Sequence, residues 1–491
     1  RGRGPGRGRH RVTRAVAVAV RWWAMSEFER YPADWPEHLR RRRKRVERAW
    51  GLARGSVVVP AGLPVPIAGT DQFHEFHAHP EHRYLAGVGL PGSVLTFDPE
   101  EGWSLFLPVV SREEAVWVGP GPDPAAVAAV TGLERVRALG ELRSWLEARR
   151  GEPLYLLGND DLLQRPEEYG LGKWETLEFD VARAESEELR ARVDEARRIK
   201  DAGEIALIRR AVEASVAGHL WALRHARPGM TERALQVEIE AEFFRHDGDR
   251  TAYGSIVGAG PDGAILHFAP TRREIRDGEL VLIDAGAEYL GYASDVTRTF
   301  PAGPRFEPLQ RELYELVLGV QERAIGRVRP GADYRDLHLA ASAEIAEGLR
   351  ALGILRGSLD RILEGDAQTL FFPHGLGHML GLATHDAGGC LPERKRERPA
   401  LRYLRADLPL AEGMVVTIEP GVYFIRPLLE DREVRETFAD EVNWELVDRL
   451  LDFGGIRIED DVLVTAEGAE VLSSGVPKRT AEIEALREEV G

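Results

Sequence analysis

Apolar positions in the first third of the chain come in short runs, at residues 55–59, 84–90, 93–97 and 104–109, separated by glycine, proline and aspartate. Runs of that length between turn-forming residues predict strands. Helical stretches follow near 125–130 and 139–148, then a further strand at 154–157. Ahead of them all, residues 36–50 carry EHLRRRRKRVERAW, a strongly basic helix whose charges are read as a solvated face rather than a nucleic-acid contact. The mixture predicts an α/β N-terminal domain over residues 25–180. The pattern then changes. Residues 182–214 are densely charged with helical periodicity, which predicts a linking helix at 181–196 and the first helix of a second domain at 197–491. There, helical spacing at 231–245, 309–327 and 334–352 is interspersed with strand-like runs at 281–284, 295–300, 415–419 and 455–459. Strands and long helices without regular βαβ alternation predict an α+β domain with a curved, largely antiparallel sheet backed by helices.

A chain of 491 residues is too long for one ordinary core, in keeping with two domains. Asp and Glu total 81 against 65 Lys and Arg, a formal charge of -16. That balance weighs against nucleic acid or an acidic membrane surface as partner. The single cysteine, Cys390, excludes an intrachain disulfide and a thiolate cluster, which fits a reducing, cytoplasmic setting. Residues 1–24 stand apart, with seven arginines among glycines and small apolar residues. Their apolar run is too short to span a bilayer, and no small-residue cleavage site follows it. They are read as a disordered extension or a misplaced start upstream of Met25. No transmembrane segment is expected.

The chemistry is concentrated where apolar strands end in charge. Asp284 closes the run 280–283, with Gly286 providing the turn of a β-hairpin, and Asp295 opens the returning strand with Thr297 and Thr299 on its own side of the pleat. Glu419 follows the run 414–418, and a charge at the end of a buried strand needs a rim, a metal or a partner. Glu459 follows Arg457 on one face of GGIRIEDD, placing an arginine beside a carboxylate. His374, His378 and His385 fall within twelve residues of a glycine-rich segment, read as a loop running into a short helix. Each has a bland alternative: a turn cap, a solvated acid, a core histidine, an ordinary salt bridge. Together, Asp284, Asp295, His378, Glu419 and Glu459 make an oxygen-rich set that would repel itself without cations. Such a set suits two divalent ions that activate water for hydrolysis, Mn2+ first, with Co2+ or Zn2+ as alternatives.

The segments IDAGAEYLGYASDVTRTF, HGLGHMLGLATHD, TIEPG and GIRIEDD resemble, in that order, the aminopeptidase P and prolidase branch of the pita-bread metallopeptidases. The likeness covers residues 197–484, and the residues before it occupy the place of the family's variable N-terminal domain without a close match of their own. The resemblance implies a pita-bread α+β catalytic domain. It implies that Asp284 holds one metal through both oxygens, that Asp295 and Glu459 bridge the pair, and that His378 and Glu419 complete the second. Glu419 would also accept the proton of the attacking water. His267 matches a substrate-side histidine, His385 one that contacts the scissile amide or its oxyanion, and His374 one that lines the pocket. Tyr253 matches a tyrosine near the metals, and Arg457 the arginine that supports the first metal's aspartate.

Within the branch, GVYFIRPLLED, the long stretch before GGIRIEDD and the basic loop after the histidines resemble prolidase. So does Arg405, at the place of a clamp for a dipeptide's terminal carboxylate. The expected substrate is therefore an Xaa-Pro dipeptide, with Xaa-Pro aminopeptidase activity on longer peptides as the alternative and a silent binding protein as a remote one. Ala383 and Thr384 depart from the usual pair before His385. The resemblance also implies a homodimer.

Overall fold

The structure, a computed structural model, describes residues 25–391 and 393–488, so the expectation for residues 1–24 lies outside the described residues. The chain divides into two compact units between Arg197 and Arg198.

The first unit is built on a five-stranded sheet in the order Val136–Ala138, Gly102–Leu107, Val94–Asp98, Ser56–Pro60 and Leu154–Leu156. The three inner strands are antiparallel to one another and the two edge strands add in parallel. Ser56–Pro60 is buried along its whole length, which is why it reads as an unbroken apolar run. The run 84–90 is not a strand. It belongs to the helix Pro80–Ala86, begun by Pro80 and the His79 cap and ended by Gly87 at φ 82. A continuous apolar run does not by itself distinguish a strand from a buried helix, and here proline at the first turn decides. The basic helix Trp35–Trp50 forms as expected, but its arginines are not all solvated. Arg43 is buried and donates to the carbonyls of Leu85 and Thr131, while Arg42 lies 5.4 Å from the centre of the Tyr84 ring in the helix Pro80–Ala86. They anchor the helix to its own unit through their forks and stems.

In the second unit, strands Ile256–Ala259, Leu280–Asp284 and Thr297–Pro301 form one antiparallel sheet with Leu280–Asp284 in the middle. A second sheet pairs Val415–Ile418, Asp460–Thr465 and Gly468–Val471, again antiparallel, and Gly421–Tyr423 pairs with Gly455–Arg457. A bridge between Thr297 and Glu459 links the first group to the second, and one between Met379 and Val416 ties on the histidine segment. The helices Ala202–His225, Glu232–Arg245, Pro308–Arg327 and Tyr334–Ala351 pack apolar faces into a core cluster shared with these strands. This is the expected α+β arrangement of largely antiparallel strands backed by helices.

Two local expectations need correction. The 284–295 hairpin does not turn at Gly286. A smaller hairpin, Ala287–Tyr289 with Tyr292–Ala293, turns at Leu290 and Gly291, where φ is 49 and 88. Gly286 is instead a point of close approach, since a Cβ there would meet the Ser294 carbonyl oxygen at 1.9 Å. The histidine segment, residues 373–388, contains no helix and runs as irregular chain against Val415–Ile418, with Leu380 and Thr417 donating across to Val415 and His378.

Gly286→Ala should therefore destabilise the protein by ~1–3 kcal/mol through a backbone clash. Gly326→Ala, in an exposed helical position with nothing within 4 Å of the added carbon, should be neutral or stabilising by up to ~1 kcal/mol. Chemical denaturation of both variants measures the contrast, and equal effects would contradict it.

Candidate metal centre

Asp284 ends its strand in register opposite Thr297, and Asp295 lies two residues before that partner. The two acids converge on one hydroxyl: Tyr253 Oη is 2.5 Å from Asp284 Oδ1 and 2.5 Å from Asp295 Oδ1. A phenol has one proton, so one of these contacts needs a proton on the carboxyl or a nearby cation to be attractive. Arg457 Nη2 donates to Asp284 Oδ2 at 2.6 Å, and its Nε donates to Thr297 Oγ1 at 3.1 Å. Thr297 in turn donates to Glu459 Oε2 at 2.7 Å. The pairing of Ile418 with Asp460 and of Gly421 with Arg457 sets the break at Glu419 and Pro420 opposite Ile458 and Glu459. Asp295, His378 and Glu459 each offer a ligand atom, all within 4.8 Å of one another. Glu419 Oε1 lies 3.6 Å and Asp295 Oδ2 3.4 Å from His378 Nε2.

His378 shows which of its nitrogens faces the acids. Its Nδ1 sits 3.1 Å from the Met379 carbonyl, which only an N–H can satisfy, so Nε2 points its lone pair, or in the absence of a cation a second proton, at Asp295 and Glu419. Burial disfavours the charged ring, but Asp295 and Glu419 prevail and raise its pKa. Burial first, and then the Asp284 charge, raises the carboxyl of Asp295, and burial followed by Asp295, Glu419 and Asp284 raises that of Glu459. Glu419 is pushed up to about 7, by burial first and by Asp295 and Asp284 against the pull of His378 and Arg457. The donor set therefore fits divalent cations: four carboxyls and one imidazole, held in one buried cluster that without metal stays close only by retaining protons.

The remaining expected residues line the same cavity of about 1070 Å3: Tyr253, His267, His374, His385, Arg405 and Arg457, together with all five candidate ligands. His374 is kept neutral, its pKa lowered to about 3 by burial and then by Arg457. Its Nδ1 donates to the Gly375 carbonyl, so Nε2 accepts from Tyr423 Oη, which itself accepts from Arg457 Nη1. His385 packs edge-on to His378, ring centres 4.5 Å apart, and opens to the cavity, as do His267 and Arg405.

Three contributors were not singled out from the sequence. Tyr423 links Arg457 to His374, and the spacing from Glu419 through Pro420 and Gly421 was the only hint. Asp461 accepts the Asp295 backbone N–H at 3.1 Å, and its acidity was hidden in the EDD run. Arg298, fully buried, donates to the Glu459 carbonyl and to Asp460 Oδ1. It reads in sequence as an ordinary charged strand residue.

A model of metallopeptidase family M24 matches residues 206–466, and one of the aminopeptidase P N-terminal domain matches residues 38–154, which supplies a counterpart for the first unit that its residues alone did not. A probable Xaa-Pro aminopeptidase of Botryotinia fuckeliana is 33% identical over 464 residues, covering 93% of this chain and 97% of its own. One of Fusarium vanettenii is 34% identical over 437 residues, covering 86% and 90%. Among solved structures, Pseudomonas aeruginosa aminopeptidase PepP superposes with a TM-score of 0.76 at 30% identity, over 96% of this chain and 99% of that one. E. coli aminopeptidase P with the inhibitor Pro-Leu gives 0.75 at 31%, over 93% and 98%.

The raised Glu419 pKa has a consequence for stability. In the metal-free protein, Glu419 keeps its proton up to about 7 when folded but releases it near 4.5 when unfolded. The folded state binds the extra proton between those values, so this group's contribution to stability falls as pH rises through the window. In excess chelator, Glu419→Gln should therefore melt higher than the unsubstituted protein near pH ~8 and no higher near pH ~4.5. A variant that gains nothing at the higher pH would contradict the account of the cluster.

Proposed function

We propose that this chain, which belongs to metallopeptidase family M24, is an Xaa-Pro aminopeptidase that removes the first residue from peptides with proline second. It is a metallopeptidase with the two-domain pita-bread fold of its family. The dipeptidase expected from GVYFIRPLLED and Arg405 is the weaker reading, because the relatives and solved structures described above carry the aminopeptidase name. The cavity supports the same choice. At about 1070 Å3 it exceeds the ~300–1,000 Å3 typical of small-ligand sites, so a dipeptide would leave much of it empty. Arg405, exposed on its wall, then meets a longer peptide rather than closing on a terminal carboxylate.

Asp284, Asp295, His378, Glu419 and Glu459 would hold two divalent ions, with Mn2+ favoured by the oxygen-rich donors. Bound there, the ions supply Lewis acidity and bring the pKa of a water toward neutrality. The protein's own groups do the rest. Glu419, ionised once bound cations have displaced the proton that its buried carboxyl retains in the bare site, takes the proton of the attacking water and delivers it to the departing proline nitrogen. His385, kept neutral with its pKa near 4 by partial burial and then by His378, donates to the developing oxyanion without introducing a positive charge of its own. His267 faces the substrate from the same wall. The Arg457, Tyr423 and His374 chain fixes Asp284 and one side of the pocket. Proline nitrogen carries no hydrogen in an Xaa-Pro bond, so a pocket with no acceptor waiting for an amide N–H favours it.

Loaded with Mn2+, the protein should cleave Ala-Pro-Ala with a kcat/KM at least ~10-fold above that for Ala-Pro, a difference of ~1.4 kcal/mol in transition-state binding. A preference for the dipeptide would restore the prolidase reading.

A further inference from the structure

Lys200 and Asp386 form a buried ion pair just outside the cavity wall. Lys200 Nζ donates to Asp386 Oδ2 at 2.9 Å, with the side chains 1% and 2% exposed. Both ends are fixed. The Lys200 backbone N–H donates to the Gly413 carbonyl in the turn before Val415–Ile418, and Asp201 caps the helix Ala202–His225 immediately after it. The Asp386 backbone N–H donates to the Met379 carbonyl, closing residues 379–386 into a loop. The approach leaves no space: a Cβ on Gly381 would lie 2.3 Å from Asp386 Oδ2 and 2.9 Å from Lys200 Cε.

His385 is the neighbour of this locked aspartate. Among the described residues its ring has no side-chain hydrogen bond, and its packing partner is His378, met edge-on. A ring without its own hydrogen bond takes its direction from the backbone that carries it. That backbone is held one residue later, where Asp386 is tied to the Met379 carbonyl through its N–H and to Lys200 through its carboxylate. We propose that Lys200 is a positioning residue for hydrolysis, acting through Asp386 to aim His385 at the scissile amide. This rests on the reading of His385 given above. A buried ion pair contributes little net stability compared with a well-packed apolar pair, so orientation is the more economical reason for placing one here.

Removing one partner strands a buried charge, so the pair is best exchanged whole. Lys200→Met with Asp386→Leu, made in the full chain and loaded with Mn2+, should keep a melting temperature near that of the unsubstituted protein. Its kcat on Ala-Pro-Ala should fall ~10- to 100-fold with KM little changed. In a His385→Ala background the same exchange should add no further loss, because the ring it aims is gone. Losses that multiply in that background, or an unchanged kcat, would overturn the proposal. Should the paired exchange fail to fold, Asp386→Asn keeps the shape and an acceptor for Lys200. Its loss of kcat must likewise vanish when His385 is absent, and persistence overturns the proposal. A crystal structure of either variant gives a readout independent of activity: the His385 ring should leave its edge-on place against His378, and a ring that stays refutes the role. If the unsubstituted enzyme cleaves no Xaa-Pro peptide, the functional reading fails and the ring position alone decides the inference.

Discussion

Asp284, Asp295, Glu419 and Glu459 bring four carboxyl groups into one largely buried cluster, and their repulsion there is the force the rest of the second unit has to contain. In water such charges at a few ångströms cost about 1 kcal/mol per pair, and several times that where the dielectric is lower. Among the described residues, the protein answers with one fixed cation, Arg457 on Asp284, with hydroxyl donors from Tyr253 and Thr297, and with the His378 imidazole. These are too few for four negative charges, so protons or divalent cations must make up the balance. Hydrolysis uses the same imbalance: a site that favours positive charge also stabilises the hydroxide and oxyanion that the reaction generates.

Around the cluster, much of the support comes from the strands Thr297–Pro301 and Asp460–Thr465. Arg298 runs from the strand after Asp295 to the Glu459 carbonyl and to Asp460, which also takes Lys478 and Gln321. Asp461 holds the Asp295 backbone. The bridge between Thr297 and Glu459 makes the two halves of the ligand set one structure, although 162 residues separate the two in the chain. The histidine segment, irregular but hydrogen-bonded along Val415–Ile418, brings His378 and His385 to the same wall.

Much of this was legible because a charge that ends a buried apolar run has few places to go. Asp284 and Glu419 announce themselves in that way, whereas Arg457, placed beside Glu459 by strand alternation, forms its ion pair with Asp284 instead. Other features were not legible from local pattern. The helix Pro80–Ala86 hides in an apolar run because full burial removes the polar face that gives helices their period. Gly286 looks like a turn residue, yet its need is for close packing against Ser294, which depends on a strand pair not visible nearby in sequence. Lys200 and Asp386 lie 186 residues apart and neither stands out in its own segment. His267 and Arg405 carry no pattern of their own, and their place in the cavity came only through the family resemblance.

Metal stoichiometry tests the central claim most directly. Protein stripped with chelator and titrated with Mn2+ at neutral pH should take up two ions per chain, releasing protons as the buried carboxyls give theirs up. An Asp295→Asn variant should lose at least one of the two. A chain that binds no divalent ion, or that binds one with no proton release, would contradict the account.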